Sequence, residues 1–322
     1  MIQVAVLDDW QGIARGSADW SALTKRAEVV FFDRSFASED DAAVKLAGFD
    51  ILLTMRERTA FPAALVRRLP KLRMLGITGM RAASIDMNAL RAQGVTICFT
   101  SGGGTGAGTA ELTLGLILAA ARGIAVGDAA IRAGRFQTDT SPGFELEGKT
   151  LGVIGLGRLG ARVAGYGRAL GMRVVAWSQN LTAEKAQAQS VALLGKDELL
   201  SIADIVTLHL VLSDRTRGII GAAELRRMKP GAMLVNTSRG PLVDEAALLE
   251  ALRAGRLTAA LDVFDREPLP SDHPFQGIPN LVMTPHLGYG TIETFKDFYR
   301  QSAENAVAFI DGAPVRVMAR PG

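Results

Sequence analysis

Residues 150–160, Thr150-Leu-Gly-Val-Ile-Gly-Leu-Gly-Arg-Leu-Gly160, place an apolar run, a glycine turn and a helix start in immediate succession. Leu151 to Ile154 supply the run, and Gly155, Gly157 and Gly160 follow at the G-x-G-x-x-G spacing. Each glycine has its own task. Gly155 permits the tight turn out of a strand, Gly157 lets the backbone approach a pyrophosphate, and Gly160 lets the helix pack closely on the strand. Arg158 and Leu159 lie between the last two glycines, where free N–H groups and the positive dipole end of a helix favour an anion. A helix over residues 161–170 ends at Gly171, and a second strand, 173–177, follows at the distance a βαβ unit requires. The stretch reads as a dinucleotide cradle.

Upstream of it, strand-like runs at 4–7, 29–32, 51–54, 72–77 and 95–99 alternate with helical patterns. One helix, 62–69, begins with Pro62 in its first turn; another, 84–91, has Ser84 as N-cap and Gly94 just past its end. Alternation of this kind implies a parallel sheet covered on both faces. Residues 1–98 therefore read as one doubly wound unit. A long helix at 109–121, a second at 127–134 and a polar loop at 136–148 lead into the cradle. Downstream, strands near 151, 173, 205, 232, 259 and 281 give six, the strand count of a dinucleotide-binding fold. The last helix, 292–310, is longer than that unit needs and is expected to return to the first domain.

Composition narrows the class. With 322 residues, 48% hydrophobic and 21% charged, the chain is long enough for two buried cores and too apolar for extensive disorder. The 36 basic and 33 acidic residues are scattered, with no basic block that would suggest a nucleic-acid partner. Asp8 and Asp9 interrupt the first apolar run too early for a signal-peptide core, and the most apolar helix is half of what a bilayer span needs. No membrane partner and a cytoplasmic location are expected. The single cysteine, Cys98, excludes an intrachain disulfide and lies in an apolar run, as a buried inert thiol would. No metal-ligand pattern stands out.

Proton transfer near neutral pH has three histidines to choose from, His209, His273 and His286. His286 follows the run 281–283 and so sits at the carboxyl end of a strand, where open α/β sheets bind ligands. His209 ends another strand and either lines the same crevice or packs beneath it; His273 reads as loop. Arg239 directly follows a strand and offers a planar fork for a carboxylate. Asp262, Asp265 and Glu267 lie beyond a further strand, and a carboxylate near His286 would orient its ring and favour its protonated form.

Taken in order, the stretches Gly155-Leu-Gly-Arg-Leu-Gly160, His209 through Thr216-Arg-Gly218, Met228-Lys-Pro-Gly231, Val235-Asn-Thr-Ser-Arg-Gly-Pro241, Leu261-Asp-Val-Phe-Asp-Arg-Glu-Pro268 and Thr284-Pro-His-Leu-Gly288 closely resemble the D-isomer-specific 2-hydroxyacid dehydrogenase family. The resemblance covers nearly the whole chain. It implies an α/β protein of two doubly wound parallel-sheet domains. One is a Rossmann-type NAD(P)-binding domain over 99–290; the other is a flavodoxin-like, discontinuous substrate domain over 1–98 and 291–322. It implies a homodimer and a small 2-keto or 2-hydroxy acid as substrate. Arg239, Glu267 and His286 match the catalytic trio, Asp262 the acid near the nicotinamide carboxamide, and Thr109 a residue on the nicotinamide side. His209, Thr216 and Thr237 fall in the cofactor motifs, and Arg56 with Gly79-Met80-Arg81 on the substrate side.

Two departures alter the expectation. The acid that commonly ends the second cofactor strand is replaced by Ser178-Gln179-Asn180, which removes the repulsion a ribose 2′-phosphate would meet. The cofactor is therefore NAD(P), leaning to NADP. Arg81 stands where relatives often have the second glycine of Gly-x-Gly, adding a side chain to the substrate loop. Two other readings stay open from sequence: a nucleotide-sensing, corepressor-like binding protein of the same fold, and a dehydrogenase acting on a different small anion.

Overall fold

The computed structural model describes residues 1–79, 84–101, 105–138 and 140–319. In chain order the elements begin β1 (Ile2–Val6), α1 (Ala14–Ser17), α2 (Ser21–Thr24), β2 (Ala27–Phe31), α3 (Glu39–Leu46), β3 (Ile51–Thr54), α4 (Ala63–Arg67), β4 (Met74–Ile77), α5 (Met87–Ala92) and β5 (Thr96–Phe99). They continue with α6 (Ala107–Arg122), α7 (Ile124–Arg132), β6 (Thr150–Ile154), α8 (Arg158–Ala169), β7 (Arg173–Trp177), α9 (Ala183–Ala188), β8 (Ala192–Leu193), α10 (Lys196–Ile202) and β9 (Ile205–Leu208). The remainder is α11 (Ala222–Arg227), β10 (Met233–Asn236), α12 (Glu245–Arg253), β11 (Thr258–Leu261), β12 (Leu281–Met283) and α13 (Ile292–Ile310). Two compact units result, residues 1–105 with 290–322, and residues 106–289.

The first unit is a five-stranded parallel sheet in the order β2-β1-β3-β4-β5. β3 and β4 are buried along their whole length, because helices cover both faces, and this is why they read as unbroken apolar runs. On one face Leu46, Leu65 and Leu90 of α3, α4 and α5 join the core. α13 packs with α1 and α2 and against β4 and β5, burying Phe295, Phe298, Tyr299, Ala303 and Ala306, a spacing that aligns them on one helical face. The expected return of the last helix to the first sheet is what the chain does.

The second unit is a seven-stranded parallel sheet in the order β12-β11-β10-β9-β6-β7-β8. The chain reverses its direction of growth between β6 and β9, which makes their carboxyl ends the switch point where such sheets bind ligands. α10, α11 and α12 close a core on one face with Leu199, Leu200, Leu225 and Leu248, while α6 and α8 close the other with Leu116, Ile117 and Val163. Among the described residues no single helix is long and apolar enough to cross a membrane; α6 and α7 together have the length and composition but bend by 64°.

Three sequence expectations change. The second sheet has seven strands, not six, because the two-residue β8 pairs at the edge beyond β7. Helix α5 is capped by Asp86, whose carboxylate accepts from the Asn88 and Ala89 N–H groups, and not by Ser84. Ser84 is held by a bridge beside it, where Phe61 donates to its carbonyl and pairs with Ile85. Helix α7 begins at Ile124, three residues before the expected start, since Gly123 in the left-handed region (φ 60°) both ends α6 and opens α7.

Candidate active site

In the unit of residues 106–289 the glycine stretch forms the turn its spacing requires. Gly155 has φ 103°, and a Cβ there would meet the His209 carbonyl oxygen at 2.6 Å. A Cβ on Gly160 would collide with the Gly155 carbonyl, so the first turn of α8 lies directly on the strand exit. At Gly157, the N-cap of α8, nothing stands within 4 Å of a built Cβ. Two glycines thus hold backbone against backbone, and the middle one keeps the space above the helix N-terminus open.

His286 lies three residues beyond β12 in the left-handed region (φ 53°), a conformation that a side chain makes costly. Asp262, fully buried beyond β11, pins this turn. Its Oδ1 accepts from the Thr284 hydroxyl at 2.6 Å and the Leu287 N–H at 2.7 Å, and its Oδ2 from the Gly288 N–H at 2.8 Å. Burial raises the pKa of Asp262, against the opposing effect of those three hydrogen bonds and of His286. Thr109, in the first turn of α6, donates to the Gly288 carbonyl at 2.8 Å. Thr113, one turn on, donates to the Thr109 carbonyl and shares a 2.8 Å hydrogen bond with the buried Thr237.

Glu267 closes the arrangement. Its Oε2 lies 2.6 Å from His286 Nδ1, and its Oε1 accepts from the Phe264 N–H at 2.9 Å. Burial pushes the Glu267 pKa up, but the hydrogen bond and charge of His286, the Phe264 N–H and the Arg239 charge together outweigh it and hold the carboxyl below its ordinary value. Arg239 follows β10 in a loop braced by Asn236, whose amide donates to the Arg239 carbonyl at 2.8 Å and accepts from the Ser238 N–H at 3.0 Å. The Ser238 hydroxyl ties the same loop to the Leu208 carbonyl at 2.8 Å. A permanent cation, a depressed carboxylate and an imidazole are therefore assembled at the carboxyl ends of β10, β11 and β12. The Tyr289 ring stands edge-on to His286 at 5.6 Å.

These ends belong to the region in which residues 114–288 match the family model described as D-isomer specific 2-hydroxyacid dehydrogenase, NAD binding domain. The chain belongs to the D-isomer specific 2-hydroxyacid dehydrogenase family. It is 41% identical over 256 residues to a glyoxylate reductase of Aeropyrum pernix, covering 77% of this chain and 76% of that protein. To a D-3-phosphoglycerate dehydrogenase of Archaeoglobus fulgidus it is 38% identical over 265 residues, 82% of this chain but 50% of that protein, so the chain spans about half the length of that relative. A crystal structure of a phosphoglycerate oxidoreductase from Vibrio cholerae superposes with a TM-score of 0.92 at 34% identity, covering 97% of this chain and 100% of the other.

The matched family domain is an NAD-binding one, and the glycine turn fits such a dinucleotide: the open side of Gly157 and the first-turn N–H groups of α8 are what a pyrophosphate needs. His209 lies beside the turn, donating its backbone N–H to Ile154; its ring nitrogen Nε2 is 3.0 Å from the Thr207 hydroxyl, and Nδ1 has no partner among the described residues. Burial lowers its pKa to about 4, so the ring is neutral at physiological pH. Thr216 is spent inside its own turn, accepting from the Ser213 N–H at 2.8 Å and donating to the Val211 carbonyl at 2.7 Å. After β7 the backbone turns at Ser178, with Gln179 and Asn180 exposed.

In the other unit, Arg56 follows β3 in the left-handed region (φ 54°), its N–H donating to the Thr78 hydroxyl at 2.6 Å. A Cβ on Gly79 would meet the Arg56 guanidinium, the movable end of a side chain, and the φ of 84° is what favours glycine there. Met80 and Arg81 lie outside the described residues. Sequence reasoning missed the bracing set Asn236, Thr113 and Thr284; His273 lies in a loop as expected, but its pairing with Glu245 was missed. A polar residue at a strand end is the signal that could have found Asn236 and Thr284.

Proposed function

We propose that this chain is a nicotinamide-dependent oxidoreductase interconverting a 2-keto acid and the corresponding D-2-hydroxy acid. In this reading residues 106–289 hold the cofactor, and residues 1–105 with 290–322 bind substrate. The observation that carries it is the Glu267–His286 pair at 2.6 Å, set beyond the carboxyl ends of the strands in the sheet that bears the glycine turn. A nicotinamide cofactor held there would supply the hydride for the keto carbon. Arg239 holds the substrate carboxylate and polarises the keto oxygen as a planar, permanently charged donor. His286 gives a proton to that oxygen in reduction and takes it back in oxidation. Glu267, at Nδ1, aims the ring so that Nε2 faces the substrate, and favours its protonated form. Gly155, Gly157, Arg158, Leu159 and Gly160 cradle the pyrophosphate, with His209, Thr216, Thr237, Thr109 and Asp262 around the remainder of the cofactor. Arg56, Gly79, Met80 and Arg81 serve the substrate.

The reading extends to NADPH as the preferred cofactor. Ser178, Gln179 and Asn180 can donate hydrogen bonds to a 2′-phosphate without the repulsion of a carboxylate. It also extends to a homodimer formed through the cofactor unit. Support comes from α7 and the loop after it, where Ile124, Val126 and Ile131 are each more than half exposed and Phe136 is 76% exposed.

Glyoxylate, hydroxypyruvate, pyruvate and bulkier keto acids, each with NADH and with NADPH, are assayed by nicotinamide absorbance. Turnover of at least one keto acid is expected. Binding of the nucleotide with no turnover of any would overturn the enzymatic reading.

A further inference from the structure

Behind the Glu267–His286 pair lies a second histidine–carboxylate pair. His273 Nε2 is 3.0 Å from Glu245 Oε1, and its Nδ1 accepts from the Phe275 N–H at 3.2 Å. A ring nitrogen that accepts carries no proton, so the neutral ring has its proton on Nε2 and donates it to Glu245. Glu245 is in the first turn of α12, where the helix dipole favours a carboxylate. Its second oxygen, Oε2, accepts from the Asp265 N–H at 3.4 Å. Asp265 lies in the short turn that carries Glu267, and the residue before it, Phe264, donates to Glu267. From the opposite side the turn has no slack, because a Cβ on Gly240 would run into the Phe264 and Asp265 backbone. Phe275, buried, sets its ring at a tilt 4.8 Å from His273 and 6.5 Å from Phe264, which ties the pair to the same turn through packing.

We propose that Glu245 and His273 are positioning residues for Glu267: the pair grips the 264–267 turn from behind, and that grip sets how the Glu267 carboxylate meets His286. The proposal rests on the reading that His286 and Glu267 perform proton transfer. The Asp265 pKa is raised by burial first and then by Glu245, with Arg217 opposing and Asp244 adding to the rise, so like charge crowds this side of the turn and the hydrogen bonds to Glu245 are what keep it in place.

The test compares wild type with His273→Phe, which keeps a ring against Phe275 but loses both nitrogens; His273→Gln, which keeps an N–H that can reach Glu245; and Glu245→Gln. With only three histidines, each imidazole resonance can be assigned by substitution and titrated by NMR. In His273→Phe the titration midpoint of His286 falls by about half to one pH unit, and the alkaline limb of keto-acid reduction moves with it. Its kcat with glyoxylate or hydroxypyruvate falls roughly 3- to 10-fold, while KM and nucleotide affinity stay within about twofold. His273→Gln lies closer to wild type. Folded His273→Phe and Glu245→Gln proteins with an unmoved His286 midpoint and an unmoved limb would overturn the proposal. Should His273→Phe fail to fold, Glu245→Gln decides by the same two readouts. A wild-type protein without turnover would sink the proton-transfer reading instead, and the NMR midpoint would still report on the grip.

Discussion

At Glu267 burial and pairing act in opposite directions, and pairing wins. The carboxyl is held below its ordinary value of 4.5 chiefly by His286, with burial opposing. In the proposed reading the Glu267 carboxylate is the charge partner of the His286 ring. The sign follows for keto-acid reduction, which consumes the protonated ring. In Glu267→Gln the imidazolium loses its partner charge, and the alkaline limb of the rate profile moves to lower pH by roughly one unit; an unmoved limb would contradict the pairing. For stability, a depressed carboxylate contributes above its unfolded pKa of 4.5, and the contribution is lost as pH falls through the lower folded value. The cofactor end carries a second residue-scale prediction. If Ser178 faces the ribose, Ser178→Asp lowers the NADPH/NADH ratio of kcat/KM by at least roughly tenfold, about 1.4 kcal/mol, and an insensitive ratio would place Ser178 elsewhere. Arg239 and His286 stood out in the sequence because each comes within three residues of an apolar strand, whereas Glu267 was singled out only by the family resemblance. Which of Asp262, Asp265 and Glu267 pairs with His286 was not legible from spacing, since turn geometry decides it: Asp262 is turned inward to hold the Thr284–Gly288 backbone, and Glu267 alone reaches the ring.

Among elements, the buried parallel strands were the easiest to read and the short helices the hardest. β3, β4, β9 and β10 are buried at every position and appear in the sequence as largely apolar runs. α1, α2 and α9 each bury one residue only, and both residues of β8 are exposed, so no periodicity marks them. The turn after β12 is the element that matters most for the site, and its strain is offset by Asp262. Removing that carboxylate in Asp262→Ala leaves the Leu287 and Gly288 N–H groups and the Thr284 hydroxyl without their acceptor. Loss of a buried hydrogen-bonded anchor costs on the order of 2–4 kcal/mol. Urea unfolding should report that loss, and turnover should fall more than nucleotide affinity. A variant as stable and as active as wild type would show that the left-handed turn at His286 holds without it.

For the whole molecule, the chain passes from one doubly wound unit to the other after residue 105 and returns after 289, and each unit has its own sheet and core. The alternating pattern made both sheets legible, and α13 was legible by its excess length. A homodimer was expected from the family resemblance alone; the exposed apolar residues of α7 could not be read from the sequence, because their exposure depends on which face α6 leaves uncovered. Light scattering should find twice the monomer mass, and Val126→Glu combined with Ile131→Glu should shift the protein to monomer with nucleotide binding retained; a monomeric wild type would remove the dimer from the account. The central claim, that His286 is the proton donor of a two-unit dehydrogenase, is tested most directly by His286→Ala. Steady-state kcat with the best keto acid is measured beside nucleotide affinity from quenching of intrinsic fluorescence. The account predicts a fall in kcat of about 100- to 10,000-fold, the range for losing a positioned proton donor, with affinity nearly unchanged. Turnover within a few-fold of wild type would contradict it.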